Sequence, residues 1–469
     1  MTHCQQPTTN HPNALAQMVL DAYHKLPSKG KPQQKEWTVL AGLVVVWNDD
    51  RSSQVLAVTT GNRCVGHYRQ GNSNTVVDCH AEILIRRCFK RFLYNELLHL
   101  KETQISEYLQ PSSVAPGKYQ LDSAATLHLV VSQTPCGDAS IYATAALPPS
   151  FTTTATTTST TTSTTTTSTT TSTVFNWTGA KPVVSTDDTR ECQKVGCLRT
   201  KSSRSDALRE RQTSSMCCSD KLGMWCHVGI EGALLSDFID SVWLSSVVLV
   251  LGHMCEETRE QARMSTERAL LQRFQTLRHG EKKEQEGTPP PPPLMRVVPI
   301  VATSSLVFER SKALVEAKTR QQLPPPSSSS ASSSSSNATK ETEERVQEPP
   351  LKRQKKKKKK KLSTPSGYAI VSVGNTLHAV LVSAKGVPQG TTETSSRPPS
   401  FISKQSFMQD YLRLKEPSGS GGGGGSSHPT TIQEYETIKN SVVSTPYAKR
   451  KRFFKSHTLL QHWKGNKNE

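Results

Sequence analysis

The 469-residue sequence has no long apolar run. Its apolar stretches, such as Val247 to Leu251, are far short of the roughly 20 residues a membrane helix needs, so no membrane span is expected. Residues 1–35 lack the apolar core of a secretory signal. A regular cysteine pattern is also missing: the eleven cysteines are an odd number and include the adjacent pair Cys217 and Cys218. No disulfide framework follows from this. The expected setting is intracellular and reducing, cytoplasm or nucleus, where cysteines serve as thiols or metal ligands. Apolar content is low, at 34%, because Ser, Thr, Pro, Gly and Lys tracts swell the chain, and what remains suits one large domain rather than two or three. Acidic residues are in deficit, 39 against 58 Lys and Arg, for a formal net charge of +19. That balance favours a polyanionic partner such as nucleic acid.

What is present alternates strand-like and helix-like segments. Residues 14–26 have helical apolar spacing, residues 37–47 and 54–59 read as a strand hairpin, and residues 81–100 read as a long helix. A short buried strand at 127–131 runs toward Pro135-Cys136, which opens another expected helix. Helices are expected over 228–239 and 256–277, strands over 242–251 and 367–382, and a terminal helical pair over 430–463. The alternation predicts an α/β fold: a three-layer domain over 14–469, with a central mixed sheet flanked by helices and a C-terminal helical extension. Four inserts interrupt it, at 152–173 (Thr/Ser), 279–293 (charged, then Pro), 321–361 (Pro/Ser/Lys) and 416–428 (Gly/Ser), none apolar enough to order itself. Lys352, Arg353 and the seven lysines from Lys355 to Lys361 fit a nuclear localisation signal or a solvated segment.

His80-Ala81-Glu82 precedes the long helix, and Pro135-Cys136-Gly137-Asp138 follows a strand. A His and Glu two apart, with a later Pro-Cys, is the zinc deaminase pattern. Catalytic zinc takes three protein ligands and keeps one position for water, and a carboxylate beside it moves the protons. The common signature has a second cysteine three positions after the first, but here that residue is Ala139. The third ligand must come from elsewhere, and Cys217-Cys218 offers two thiols that spacing cannot separate. A single His-x-Glu or Pro-Cys is more often structural. A structural zinc site needs a fourth ligand, which Cys217 or His227 could supply.

These residues, with Asp78-Cys79, Arg86-Arg87, Ser132 through Ser140 and Cys218-Ser219-Asp220-Lys221, resemble the adenosine-to-inosine RNA-editing deaminases. That family comprises adenosine deaminases acting on RNA and tRNA-specific adenosine deaminases. The resemblance extends through Thr60-Gly61, Cys64, Trp225, Gly229-Ile230 and Gly232-Ala233-Leu234-Leu235. It implies zinc held by His80, Cys136 and Cys218, with Glu82 as the proton carrier. It also implies a polar relay of Asp78 and Lys201. An inositol hexakisphosphate site is implied at Ile83, Arg86, Arg87, Lys221, Lys404, Tyr435, Lys439, Tyr447, Lys451 and Trp463. Tyr435 and Lys439, like Tyr447 and Lys451, are four apart and share a helix face. Crowded cations there would repel one another without an anion, though the run 449–455 alone reads better as a solvated basic face for RNA. The sequence departs from the family at Val77, Met224 and Gly465.

The implied reaction is hydrolytic deamination of adenosine in RNA with zinc-activated water. The segment before the deaminase part has no room for a separate double-stranded RNA-binding domain, which favours tRNA as partner, at the adenosine 3′ of the anticodon in alanine tRNA. A monomer is expected. Cytidine deaminase chemistry is disfavoured by Ala139, and a non-catalytic RNA-binding protein by the intact Glu82.

Overall fold

The apolar run at Leu40–Trp47 forms strand β1, buried on both faces. Its hairpin partner is β2 (Gln54–Thr60). The sheet is completed by β3 (Ala125–Val131), β4 (Ser246–Val250), β5 (Ile300–Ser304), β6 (Tyr368–Val373), β7 (Leu377–Val382) and the short β8 (Val387–Pro388). The eight strands lie in the order β5-β4-β3-β1-β2-β6-β7-β8. Strands β3, β4 and β5 run parallel, and every other neighbouring pair is antiparallel. This computed structural model describes residues 11–49, 51–66, 73–144, 174–176, 178–183, 195–201, 213, 215–277, 294–322, 361–391, 398–417, 431–456, 460 and 463. The expected inserts 152–173 and 279–293, nearly all of 321–361 and 416–428, the lysine run up to residue 360 and Gly465 lie outside the described residues.

Period-two alternation sends side chains to both faces of the sheet. Leu40, Val44, Val58, Val130 and Val248 meet helix α1 (His11–Lys25) through Leu15, Val19, Leu20 and Tyr23. Ala41, Leu43, Val45, Leu129, Val131, Val247 and Leu249 face the other layer, where α2 (Ala81–Thr103), α3 (Cys218–Val228) and α4 (Glu256–Leu270) pack. Each large apolar side chain so buried contributes roughly 1.5–3 kcal/mol, enough in sum to fix both helical layers on the sheet. The predicted three-layer arrangement is therefore observed. Further helices are α5 (Lys312–Gln321), α6 (Lys404–Lys415), α7 (Ile432–Ser441) and α8 (Pro446–Lys455). Helix α6 packs on α2, α7 on α6, and α8 on α3. Among the described residues, no helix is long and apolar enough to cross a membrane.

The helix expected over 228–239 is displaced. It runs instead over Cys218–Val228, and only a single turn, Leu235–Asp237, forms beyond it. Gly229 and Gly232 hold φ values of 107° and 90°, a region that ends a right-handed helix. The helix expected after Pro135-Cys136 is likewise one turn, Asp138–Ser140. The helix expected over 256–277 ends at Leu270 and tightens into a 3-10 turn, Gln272–Leu277.

Candidate metal and proton-transfer site

Strand β3 ends at Val131, and the chain then bends over the carboxyl edge of the parallel strands, where α/β folds place their sites. The bend is pinned by Ser132, whose N–H donates to the Leu40 carbonyl at 2.9 Å while its Oγ accepts from the Leu40 N–H at 2.9 Å. It delivers Cys136 to the start of α3. There the Cys218 N–H donates to the Cys136 sulfur at 3.4 Å. The Ser219 N–H donates to the Cys136 carbonyl at 3.1 Å. The approach requires Gly137, whose φ is 107°. A Cβ at this position would sit 2.4 Å from Ser219 Oγ and 2.6 Å from Cys217 Cβ.

His80 caps the N-terminus of α2 and Cys217 that of α3. Helix N-termini stabilise anions through unpaired N–H groups and the helix dipole. Hydrogen bonds from the Cys217 and Cys218 thiols, with Lys201 and His80 adding positive charge, hold the Cys136 thiol well below its usual value. Burial pushes Cys217 and Cys218 well above theirs. Cys136 is thus the most acidic thiol of the group, and the two neighbouring thiols face it. This sulfur set with an imidazole beside it suits a borderline-soft divalent cation.

Asp78 organises the other half. One oxygen accepts from His80 Nδ1 at 2.8 Å and from the His80 N–H at 3.1 Å. The other accepts from Lys201 Nζ at 2.7 Å, Lys221 Nζ at 2.8 Å and Ser215 Oγ at 3.0 Å. Burial opposes the charge, yet the two lysines and His80 hold the Asp78 carboxyl well below the usual carboxylate range. The sequence-predicted pair Asp78 and Lys201 is therefore in direct contact.

Among the described residues, the tightest group of metal-capable atoms is Cys64, Asp78 and His80, all within 4.8 Å of one another. His80, Cys136 and Cys218 do not draw together so closely. The tight group is nevertheless a poor donor set. Both Asp78 oxygens are engaged, and burial and the Asp78 charge push the Cys64 thiol well up. A carboxylate on one ring nitrogen fixes the tautomer and turns the other nitrogen outward as a ligand. By this argument the cluster fixes the His80 ring rather than forming a ligand set of its own.

Glu82 lies in the first turn of α2, 3% exposed. Its Oε2 is buried without a hydrogen-bond partner. Burial and the Cys136 charge push this carboxyl above its usual value, and His80 opposes them. A buried carboxylate oxygen with no partner is costly, and such groups cluster where chemistry occurs.

Farther along α2 a second feature opens. A cavity of about 110 Å³ is lined by Ile83, Arg86, Arg87, Lys221, Tyr447, Lys451 and Trp463, all expected from the sequence, together with Met224, Trp225 and Lys455. Lys404 and Lys439 lie beside it, with their Nζ atoms 5.1 and 5.6 Å from the Tyr435 ring centroid. All ten sequence-predicted residues are thus brought to one region. Arg86 Nε donates to the Ile230 carbonyl at 2.8 Å, and its NH2 to the Tyr447 hydroxyl at 3.1 Å. Lys221 joins the two features, lining the cavity while its Nζ bonds Asp78.

Sequence reasoning missed Ser215, which sits between Lys221 and Asp78, and the orienting contact of Cys64. No local pattern marks either one. It also missed Lys90, although Arg86, Arg87 and Lys90 follow the i, i+3, i+4 rule for one helix face.

The family description "Adenosine-deaminase (editase) domain" matches residues 57–367. That is more than half of the chain, and the chain belongs to this family. The tRNA-specific adenosine deaminase 1 of Drosophila melanogaster is 31% identical over 269 residues, 56% of this chain and 60% of that protein. The tRNA-specific adenosine deaminase 1 of Schizosaccharomyces pombe is 30% identical over 257 residues, 51% of this chain and 58% of that protein. The double-stranded RNA-specific adenosine deaminase of Mus musculus is 28% identical over 236 residues, 50% of this chain and 19% of that protein. The chain therefore spans less than two thirds of the length of each of these relatives.

Proposed function

We propose that the chain converts adenosine to inosine in RNA by hydrolysis, with tRNA as substrate and alanine tRNA, at the adenosine 3′ of the anticodon, as the particular target. The observation that carries the reading is Glu82: a buried carboxylate oxygen without a partner, beside His80 and the Cys136 sulfur. In this reading His80, Cys136 and Cys218 hold zinc. When bound, the metal supplies a Lewis acid that makes water nucleophilic near neutral pH.

The chain's own residues do the rest. Glu82 Oε2 takes one proton from the attacking water and gives it to the purine nitrogen, then carries the water's second proton from the new C6 hydroxyl to the departing amine, so that adenosine and water become inosine and ammonia. Asp78 fixes the His80 ring through Nδ1. Lys201 and Lys221 keep Asp78 ionised, so the ring remains oriented. Burial at Glu82 excludes competing solvent and raises the carboxyl's proton affinity. The cation-lined cavity suits a polyphosphate, inositol hexakisphosphate by resemblance, because burying so many like charges without an anion is costly. The names of the Drosophila and Schizosaccharomyces relatives support tRNA as the substrate class.

The test is incubation of the purified full chain with alanine tRNA transcript and, separately, with a generic RNA duplex, with inosine read as guanosine on sequencing. Conversion next to the anticodon is expected. Conversion of the duplex alone overturns the tRNA assignment, and conversion of neither overturns the activity.

A further inference from the structure

Lys90 is the cation that the proposed polyphosphate site leaves unexplained. It stands one turn beyond Arg86 and Arg87 on α2, with its Nζ 4.4 Å from the Phe407 ring centroid; the Arg87 guanidinium lies 5.6 Å from the same ring. Its Cε and Cδ lie 3.6 and 3.8 Å from the Cβ position of Gly232, and Arg86 NH2 lies 3.1 Å from it. Lys90 thus sits between Arg86 on one side and the Arg87–Phe407 contact on the other. Among the described residues it forms no ion pair with a carboxylate.

Lys90 differs from the other charged groups of α2. Arg91, its neighbour, is satisfied by Asp410, Ser406 and the Phe401 carbonyl. Burial, and then Arg86, Arg87, Lys439 and Lys404, hold the Lys90 ammonium well below its usual value. The charges that act on it most strongly are all positive. Lys451, on the cavity wall, is also depressed by burial, Lys439, Lys455 and Arg86, with Glu436 opposing. A lysine packed among four cations either carries a repulsive cost or faces an anion that reaches all of them.

The geometry points to Lys90 as a binding residue for a small polyphosphate that extends from the cavity floor at Arg86 and Arg87 toward Lys404 and Lys439. This inference rests on the reading that the cavity holds such an anion. An RNA strand does not suit the place: Tyr447, which lines the cavity, and Tyr435, beside Lys404 and Lys439, are only 2% and 6% exposed.

The two explanations of Lys90 predict opposite signs for Lys90→Met, which keeps most of the side-chain volume and removes the charge. If the lysine is merely repelled, the variant melts higher than the wild-type chain. If it binds phosphate, the variant melts lower and retains less ligand. The full-length chain and its Lys90→Met and Lys90→Arg variants are purified with nuclease treatment and desalted. Each is then acid-extracted, the released phosphate esters are measured by mass spectrometry, and melting is followed in parallel.

We expect polyphosphate in the wild-type and Lys90→Arg proteins. We expect Lys90→Met to show a lower melting temperature and affinity for added inositol hexakisphosphate reduced about tenfold or more, the size of one charge-assisted contact. Equal ligand content in Lys90→Met, with unchanged or raised melting, overturns the role of Lys90 alone. Absence of any polyphosphate from the wild-type protein overturns the cavity reading beneath it. If Lys90→Met does not accumulate in folded form, it is refolded from urea with increasing inositol hexakisphosphate. Recovery that needs more ligand than wild type supports the proposal. Recovery at the same concentration, or at none, overturns it.

Discussion

Helix α2 joins two regions that treat buried charge in opposite ways. At its N-terminus Asp78 is matched inside the protein by Lys201, Lys221 and His80. Two turns on, Arg86, Arg87 and Lys90 meet Lys404, Lys439 and Lys451 with far less internal compensation. The two buried carboxyls show the same contrast. Asp78, ringed by cations, is held down. Glu231, whose Oε1 lies 3.5 Å from Arg450, is pushed up to about 7 by burial. A carboxylate stays ionised in the interior when several charges surround it closely, and a single guanidinium at 3.5 Å does not offset the burial of Glu231. The first region carries its counter-charges within the protein, whereas the second is the one proposed above to take an anion.

Four measurements would break or sharpen this contrast. The largest effect is expected at Glu82. Glu82→Gln should lower inosine formation by roughly 10²–10⁴-fold, the range for a general acid–base group, with bound metal unchanged, and full activity in that variant would remove Glu82 from the chemistry. Next, Cys218→Ala should lose stoichiometric zinc while Cys217→Ala keeps it. Elemental analysis that found the reverse would assign the third ligand to Cys217.

A smaller effect, on stability, is expected at Asp78. Asp78→Asn leaves Lys201 and Lys221 buried without a counter-charge, and a loss of about 3–5 kcal/mol is expected by urea titration. Because the folded-state carboxyl of Asp78 is depressed, its contribution is present above the ordinary carboxylate range and is lost as pH falls through the lower folded value. The variant should therefore lack that acid-side loss, and a wild-type acid profile in Asp78→Asn would contradict the network.

The smallest effect is the mirror case. Glu231 is raised when folded, so its stabilising contribution is full below its unfolded value and is lost as pH rises toward 7. Glu231→Gln should gain on the wild-type chain by up to about 3 kcal/mol between acid and neutral pH, measured as the difference in unfolding free energy. A pH-independent difference would show that Arg450 compensates the charge after all.

Most of the sheet was legible in the sequence because its strands are buried on both faces and so read as unbroken apolar runs, as at Leu40–Trp47. The helix at 218–228 was not, since its buried face includes Asp220, Lys221 and His227, which no apolar periodicity flags. Its true end was written in Gly229 and Gly232. At the site, residue types and spacing gave His80, Glu82 and Cys136, because the chemistry restricts which side chains can serve. Cys218 needed the family resemblance, and the structure adds that both Cys217 and Cys218 bond the Cys136 sulfur. Ser215 was invisible for a plain reason: a serine 137 positions from Asp78 becomes its partner only once the fold is closed.

The small ladder that pairs Tyr142, Ala143 and Thr144 with Asn176, Phe175 and Val174 has a consequence for how this chain can change. Its last rung, Thr144 to Val174, brings together the two ends of the excursion over residues 145–173. The entropy of closing a loop between two tied ends grows by only about 0.6 kcal/mol for each doubling of its length. On that scale a change in the length of sequence between the two tied ends costs the fold little, while the contact of Cys136 with the start of α3 is held on the near side of the rung.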